Sequence, residues 1–272
     1  MIYTLTLDTT ENVMGKGIDI SLILKKLGID SLATGIIQEK KAKIEKELAN
    51  AEISSHFIDA STESPVTAKS QQALLDYLKE ELKAGDIVVI AGKFAPGIAP
   101  TYLIDLATLA TKKSAYLVID SPYQEVRDVL PLHPLLLKPN ETEIKAWFDQ
   151  TDKLLTTKQL LDLAHDLVAD GADHVLLSLG KEGAAIVNMT HAFMAHAPEV
   201  EEVDPVGAGE TLLATFLAGM MKNYSPVRNL ADSIAAATDT VQVKRLTNFE
   251  TTPALQRQII SRKISFEDEQ GR

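Results

Sequence analysis

Residues 207–210, Gly-Ala-Gly-Glu, stand at the head of the apolar run TLLATFLAG. Glycines let another group approach the backbone closely. The N–H groups of a helix's first turn, which have no partner inside the helix, form an anion site with about half a positive charge from the dipole. A phosphate fits such a site. A neighbouring carboxylate, Glu210, can take a proton from a hydroxyl as that hydroxyl attacks phosphorus, while Gly207, Ala208 and Gly209 hold the transferred group. A plainer reading is a tight turn whose acid complements the helix dipole, and four residues do not separate the two. A dinucleotide fingerprint fits poorly: GAGETL lacks the third glycine and lies far from the first strand. MGKGIDIS lacks the GK[ST] ending of a Walker A loop.

Three other groups of residues invite chemistry. Lys16 precedes a helical pattern at 17–27, where a cation opposes the helix dipole, so an anion contact is the better reason for it. Asn140-Glu141-Thr142-Glu143 reads as an N-cap with a capping-box glutamate. Trp147 and Phe148, in the same helix, are expected in the core rather than as a base-stacking platform. The six histidines, at 56, 133, 165, 174, 191 and 196, have no metal-ligand spacing.

These residues require a scaffold, and short β-rich runs recur between helical patterns. Strands are expected at 2–7, 31–36, 86–92, 114–120, 135–140 and 174–180, with an antiparallel pair in AAIVN and HAFMAHA. Helices are expected at 17–27, where Ile20, Ile23, Leu24 and Leu27 form a stripe, at 70–82, and at about 208–222, 226–241 and 253–263. This alternation implies an α/β fold with a mostly parallel sheet covered on both faces, in one domain spanning 1–272. Such sheets bind ligands beyond the carboxyl ends of their strands, where the motifs fall. The 272 residues carry 27 Lys+Arg against 38 Asp+Glu, a net charge of -11 that repels a polyanion and argues against nucleic acid. Without cysteine there is no thiolate chemistry or disulfide. No apolar run is long enough for a bilayer, and the N-terminus lacks a secretory pattern, so no membrane association and a cytoplasmic location are expected.

The order of motifs resembles the ribokinase-like (PfkB) carbohydrate kinases, within them the branch of 1-phosphofructokinases and tagatose-6-phosphate kinases. The resemblance runs over nearly the whole chain: IYTLTLDTTEN, VMGKGIDIS, IAGKFAPG at 90–97, VIDSP at 118–122, LLLKPNETE at 135–143, LLSLGKEGA at 176–184 and VDPVGAGETLLATFLAG at 203–219. It implies a three-layer α/β/α fold and phosphoryl transfer from ATP with Mg2+ to a sugar phosphate. Glu210 would be the base and Gly207 to Gly209 the anion hole. Asn12, Gly15, Lys16 and Asp19 would lie on the sugar side, Ser178, Gly180 and Gly183 along the nucleotide, and Asn140 and Glu143 at the metal and phosphates.

The pattern is broken in places. The family's base is aspartate; Glu210 extends the carboxylate by one methylene, about 1.5 Å on a bond-length scale, and a misplacement of that order can cost ~100-fold. Asn12 stands where the family has a sugar-gripping aspartate and forfeits a charge-assisted acceptor. Met14 and Asp19 replace a glycine and an asparagine, and Asp19 would repel a sugar phosphate. Both places where relatives insert a β-lid are short, Asp8 to Met14 and the ASTESPVT stretch after His56–Asp59, so the lid is expected to be reduced or absent, and with it a common dimer surface. Three readings therefore stand: a sugar-phosphate kinase, a binding protein that kept the fold without efficient chemistry, and a kinase of a non-sugar alcohol such as a vitamin precursor.

Overall fold

The computed structural model describes residues 1–9, 14–38 and 40–266, and the chain divides into two compact units, Met1–Leu135 and the remainder from Leu136. The first unit runs β1 (Ile2–Thr6), α1 (Lys16–Lys26), β2 (Ser31–Ile37), α2 (Lys41–Asn50), β3 (Ser54–Asp59), α3 (Ala68–Glu81), β4 (Ile87–Ala91), α4 (Tyr102–Lys112) and β5 (Tyr116–Asp120). Its strands are parallel in the order β3-β2-β1-β4-β5, with Ile2 level with Ser31 on one side and Ile87 on the other. Strands β1 and β4 are buried along their whole length, as a parallel sheet covered on both faces requires.

Helix α1 is fastened to this sheet by polar contacts as well as by Ile18, Ile20, Ile23 and Leu24, all fully buried. The Ser21 hydroxyl bridges Thr4 Oγ1 at 2.7 Å and Ser31 Oγ at 2.8 Å, which satisfies three buried hydroxyls and pins the helix to β1 and β2. Gly17 lies so close to the Leu5 carbonyl that a Cβ there would collide with backbone. The helix closes as its sequence suggested: the Ile29 amide reaches back to the Leu24 carbonyl at 2.9 Å, past Gly28 in the left-handed region.

The second unit runs β6 (Leu136–Leu137), α5 (Glu141–Trp147), α6 (Thr157–Ala169), β7 (Val175–Ser178), β8 (Ala184–Val187), β9 (His191–Ala195), α7 (Ala208–Met221), α8 (Pro226–Val241), α9 (Thr252–Gln256) and β10 (Ser261–Ser265). Strands β6 and β7 are parallel; β8, β9 and β10 follow as antiparallel neighbours. Helix α7 is almost wholly buried, consistent with its unbroken apolar sequence, and packs along α8. The Asn229 side chain donates to the Phe216 carbonyl at 2.8 Å across that contact, where Gly219 leaves room for it. Trp147 is 2% exposed, a core residue as expected.

Two expectations need correction. The strand at 135–140 is only Leu136–Leu137, because Pro139 has no N–H to give and Asn140 turns the chain into α5. The helix at 253–263 ends at Gln256, and Ser261–Ser265 is instead a strand beside β9, with Arg262 opposite Met194. Pairing with the open edge of β9 outweighs the local Leu255–Ile259 spacing. Of the two lid positions, residues 60–67 pass directly from β3 to α3, so among the described residues no separate layer of strands stands there. The other includes residues 10–13, which lie outside the described residues.

Candidate functional site

In the first unit, charged residues gather at the carboxyl ends of β1, β4 and β5. Gly15 (φ 102) is the N-cap of α1 and Lys16 its first residue. The Lys16 ammonium lies 3.4 Å from Asp120 Oδ2; the aspartate is fully buried and the lysine side chain about a third exposed (36%). Its aliphatic stem runs across Gly92, where an added Cβ would sit 3.3 Å from Lys16 Cγ. An acid thus accounts for part of what holds Lys16 at a helix end that would otherwise repel it. The Ile18 amide donates to Thr6 Oγ1 at 3.1 Å, and Asp19, 8% exposed, lies in the same first turn. Met14 packs against the cluster of Ile18, Ala33, Ile37, Ile44, Leu48, Ile53 and Phe57, so the residue in the family's glycine position extends the core. Burial pushes the Asp8 carboxyl above its ordinary value, against the pull of Lys93. Asn12 lies outside the described residues.

In the second unit, the ends of β6 and β7 and the start of α7 carry the remaining candidates. Asn140 and Glu143 form a complete capping box: the Glu143 amide donates to Asn140 Oδ1, and the Asn140 amide to Glu143 Oε2, both at 2.9 Å. Ser178 sits beside them, bridged to Asn140, its amide donating to the Pro139 carbonyl at 2.9 Å and its hydroxyl to the same oxygen at 3.3 Å. Gly180 and Gly183 bracket the 3-10 turn that leads into β8. Gly183 is packed against the backbone of Ala195–Ala197, whereas a Cβ on Gly180 would meet nothing within 4 Å.

Gly207 (φ 89) is the N-cap of α7, with no side-chain cap, and is enclosed: a Cβ there would come 2.7 Å from Leu246 Cδ2. Gly209 and Ala208 are partly exposed, and Glu210 is 8% exposed in the first turn. Lys138, which follows β6 directly, is only 3% exposed, and its Nζ lies 3.7 Å from where a Gly209 Cβ would be. The segment that encloses Gly207 is anchored in turn by Asp239 of α8, whose Oδ2 accepts from the Thr251 and Thr252 amides at 3.1 and 2.9 Å and from the Thr252 hydroxyl at 2.7 Å. Burial alone would raise the Asp239 carboxyl, but these hydrogen bonds and one from Thr247 hold it below its ordinary value.

Sequence reasoning passed over Lys138 and Asp120. Each had a signal: a charged residue at the carboxyl end of an apolar strand, in LLLKPN and in LVID, where an α/β sheet places its ligands.

Among known proteins, a family profile described as pfkB family carbohydrate kinase matches residues 61–253. The D-tagatose-1-phosphate kinase of Bacillus licheniformis is 27% identical over 251 residues, covering 85% of this chain and 82% of that relative. The 1-phosphofructokinase of Escherichia coli K12 is 26% identical over 246 residues, covering 82% and 78%. A Staphylococcus aureus structure provisionally named a phosphofructokinase superposes with a TM-score of 0.85 at 25% identity, over 97% of this chain and 99% of that one. Phosphofructokinase-2 of Escherichia coli, solved with substrates and products, gives 0.77 at 20% identity over 94% of each chain. The chain therefore has the three-layer α/β/α ribokinase-like fold with a mostly parallel central sheet, as its sequence led us to expect.

Proposed function

The chain belongs to the pfkB family of carbohydrate kinases, and on that premise we propose that it transfers the γ-phosphoryl group of ATP to a hydroxyl of a ketohexose carrying a 1-phosphate. The observation that carries the proposal is the start of α7, where a glycine N-cap, a partly exposed Gly209 and the buried first-turn carboxylate of Glu210 coincide beside Lys138. The names of the relatives similar in sequence support a sugar phosphorylated at position 1 over one phosphorylated at position 6. In the step itself, the substrate oxygen bonds to the γ-phosphorus, the bond from that phosphorus to the β,γ-bridging oxygen breaks, and ADP leaves. Glu210 receives the hydroxyl proton, and the amides opening α7 face the charge on the transferred group.

The whole chain, 1–272, acts as one catalytic domain in this reading. Gly15 and Lys16 contact the sugar phosphate, with Asp19 nearby; Ser178, Gly180 and Gly183 border the nucleotide. Among the described residues no three acidic or histidine side chains converge as a metal site. Magnesium would arrive on the nucleotide phosphates, as it usually does, with Asn140 and Glu143 as its nearest protein partners. Their capping box already orients both side chains. No helix among the described residues is long and apolar enough to cross a membrane.

A coupled assay with fructose 1-phosphate, tagatose 1-phosphate, tagatose 6-phosphate and a vitamin-precursor alcohol tests the proposal. Turnover is expected with a ketohexose 1-phosphate, and Glu210→Gln should lower kcat by about 10²–10⁴-fold, the usual worth of a general base. Undiminished turnover in that variant would remove Glu210 from its role, and nucleotide binding without turnover on any acceptor would mark a binding protein instead.

A further inference from the structure

The segment that follows β4, residues 92–98, holds a single charged residue, Lys93. Everything around it is tied down. The Gly92 amide donates to the Asp120 carbonyl at 2.8 Å, and the Gly92 carbonyl accepts from the Ser121 hydroxyl at 3.2 Å. The Phe94 amide donates to the Tyr123 hydroxyl at 2.8 Å and the Ala95 amide to the Leu7 carbonyl at 2.7 Å. Farther on, the Pro96 carbonyl accepts from the Val66 amide at 2.9 Å and the Gly97 carbonyl from the Gln71 side chain at 3.0 Å. Phe94, Ala95 and Ile98 are buried. A loop with so many partners opens rarely, so the exposed Lys93 side chain starts from a fixed point at the carboxyl end of the sheet, where such sheets bind ligands.

The bond from Ala95 to Leu7 sets this loop against the end of β1, where the next residue is Asp8. The Asp8 backbone is fixed from the other side too, since a Cβ on Gly15 would come 3.0 Å from its carbonyl oxygen. Its side chain is half-buried, and burial pushes the carboxyl up while Lys93 pulls it down. Among the described residues, neither side chain makes a hydrogen bond or an ion pair. A carboxylate drawn partly out of water with no donor to it is unfavourable for the protein by itself. A ligand hydroxyl is such a donor, and a phosphate is the acceptor that a nearby ammonium suits. Lys16, whose stem crosses Gly92, brings a second cation to the residue beside Lys93.

We propose that Asp8 and Lys93 read the acceptor as a pair: the Asp8 carboxylate accepts a hydrogen bond from a sugar hydroxyl, and the Lys93 ammonium donates to the phosphate of the same molecule. The inference rests on the phosphoryl-transfer reading for its ligand class and names two groups that select a phosphorylated sugar over an uncharged alcohol. The carboxylate attracts a hydroxyl and repels a phosphate; the ammonium favours the phosphate. Held on neighbouring strand ends, the two therefore set which way the sugar lies as well as which sugar enters.

Steady-state kinetics on fructose 1-phosphate and tagatose 1-phosphate, with calorimetry on the same sugars and on AMP-PNP with magnesium, test the pair in the full chain. The variants are Asp8→Asn, Lys93→Met and Lys93→Arg. Lys93→Met should raise KM for the sugar phosphate about 10-fold, as loss of a hydrogen bond to a charged group does, with kcat within ~3-fold and AMP-PNP affinity within ~2-fold. Lys93→Arg should recover part of the loss. Asp8→Asn should raise the same KM about 10-fold while denaturant unfolding at neutral pH shows it at least as stable as the parent, a combination that no folding defect produces. A parental KM in either Asp8→Asn or Lys93→Met overturns the pair and leaves the kinase reading standing. So does a loss of AMP-PNP affinity in place of sugar phosphate affinity, or a fall in kcat at unchanged KM. If the parent binds the sugar phosphate without turning it over and both variants weaken that binding, the kinase reading fails and this inference stands. Absence of sugar phosphate binding by the parent removes both.

Discussion

Two helices of this protein begin in the same way and end up differently used. Both α1 and α7 have a glycine N-cap at positive φ, at Gly15 and Gly207, with no side-chain cap, and both hold an acid, Asp19 or Glu210, 8% exposed in the first turn. The backbone of the α1 start is closed by the protein itself, which leaves the partly exposed Lys16 head, and not the helix amides, to meet a ligand. Thr6 accepts from the Ile18 amide, Gly17 is pressed onto the Leu5 carbonyl, and Lys16 is paired with Asp120. At α7 a helical glycine leaves a notch, and a buried lysine stands beside it. A glycine-capped helix start is thus no site in itself; what distinguishes one is whether the surrounding residues satisfy it or leave it for a ligand.

The comparison breaks first, if it breaks, at the two acids. Glu210→Gln is expected to lower kcat by about 10²–10⁴-fold with little change in Tm. Asp19→Asn should leave kcat within ~3-fold and lower KM for the sugar phosphate, because it removes a negative charge facing an anion. Steady-state kinetics on both variants decide the matter: similar losses of kcat would make the two helix starts equivalent and void the distinction.

Next in size is the cation of α1. Lys16→Met takes the lysine from the buried Asp120 carboxylate, and the loss of this partly solvated pair is expected to cost about 1 kcal/mol. If Lys16 also contacts the sugar phosphate, KM for that substrate should rise ~10-fold with AMP-PNP affinity unchanged. Denaturant unfolding reads the first effect and kinetics the second. A stability loss with no KM change would make Lys16 purely a partner of Asp120.

The glycines give a third contrast, in stability alone. Gly17→Ala places a methyl against the Leu5 carbonyl, which is backbone and cannot swing away, so a loss of about 1–3 kcal/mol is expected. Gly209→Ala should show none. Equal destabilisation by both would mean that Gly209 is held by the fold after all.

How far the sequence led can be judged from the same elements. Strands β1, β4 and β5 and helices α7 and α8 were legible because burial on both faces leaves an apolar run and burial on one leaves a stripe. Strand β3 did not stand out: as the edge of its sheet it buries only Phe57 fully, so its composition carries no pattern. Strand β10 was hidden for another reason, since its partner β9 is distant in sequence and local spacing favoured a helix. At the site, the glycines and acids were visible as types, but burial was not. Nothing in LLLKPN says that Lys138 is withdrawn from water, and nothing in VIDSP says that Asp120 is fully buried beneath Lys16. Met14, a departure from the family pattern, turned out to serve the core.

The smallest expected effect concerns pH, and it separates the two regions by sign. Asp239, which anchors residues 251 and 252 and through them the segment enclosing Gly207, has its carboxyl held below the ordinary 3.8. A depressed carboxyl contributes stability that is fully present above the unfolded value and is lost as pH falls through the folded one, so this anchor should persist until the pH is below 3.8. Asp8, beside α1, is raised from 3.8 by burial. Its charge therefore costs stability at neutral pH, and that cost is relieved as pH falls through the raised value. Denaturant unfolding between pH 7 and pH 3 should show Asp8→Asn as more stable than the parent at neutral pH, the gain vanishing on acidification. Asp239→Asn should be less stable at neutral pH, with a shallower loss in acid. Two variants with slopes of the same sign would mean that the carboxylates at the two helix starts are held alike, and the contrast between a closed and an open helix end would lose its electrostatic half.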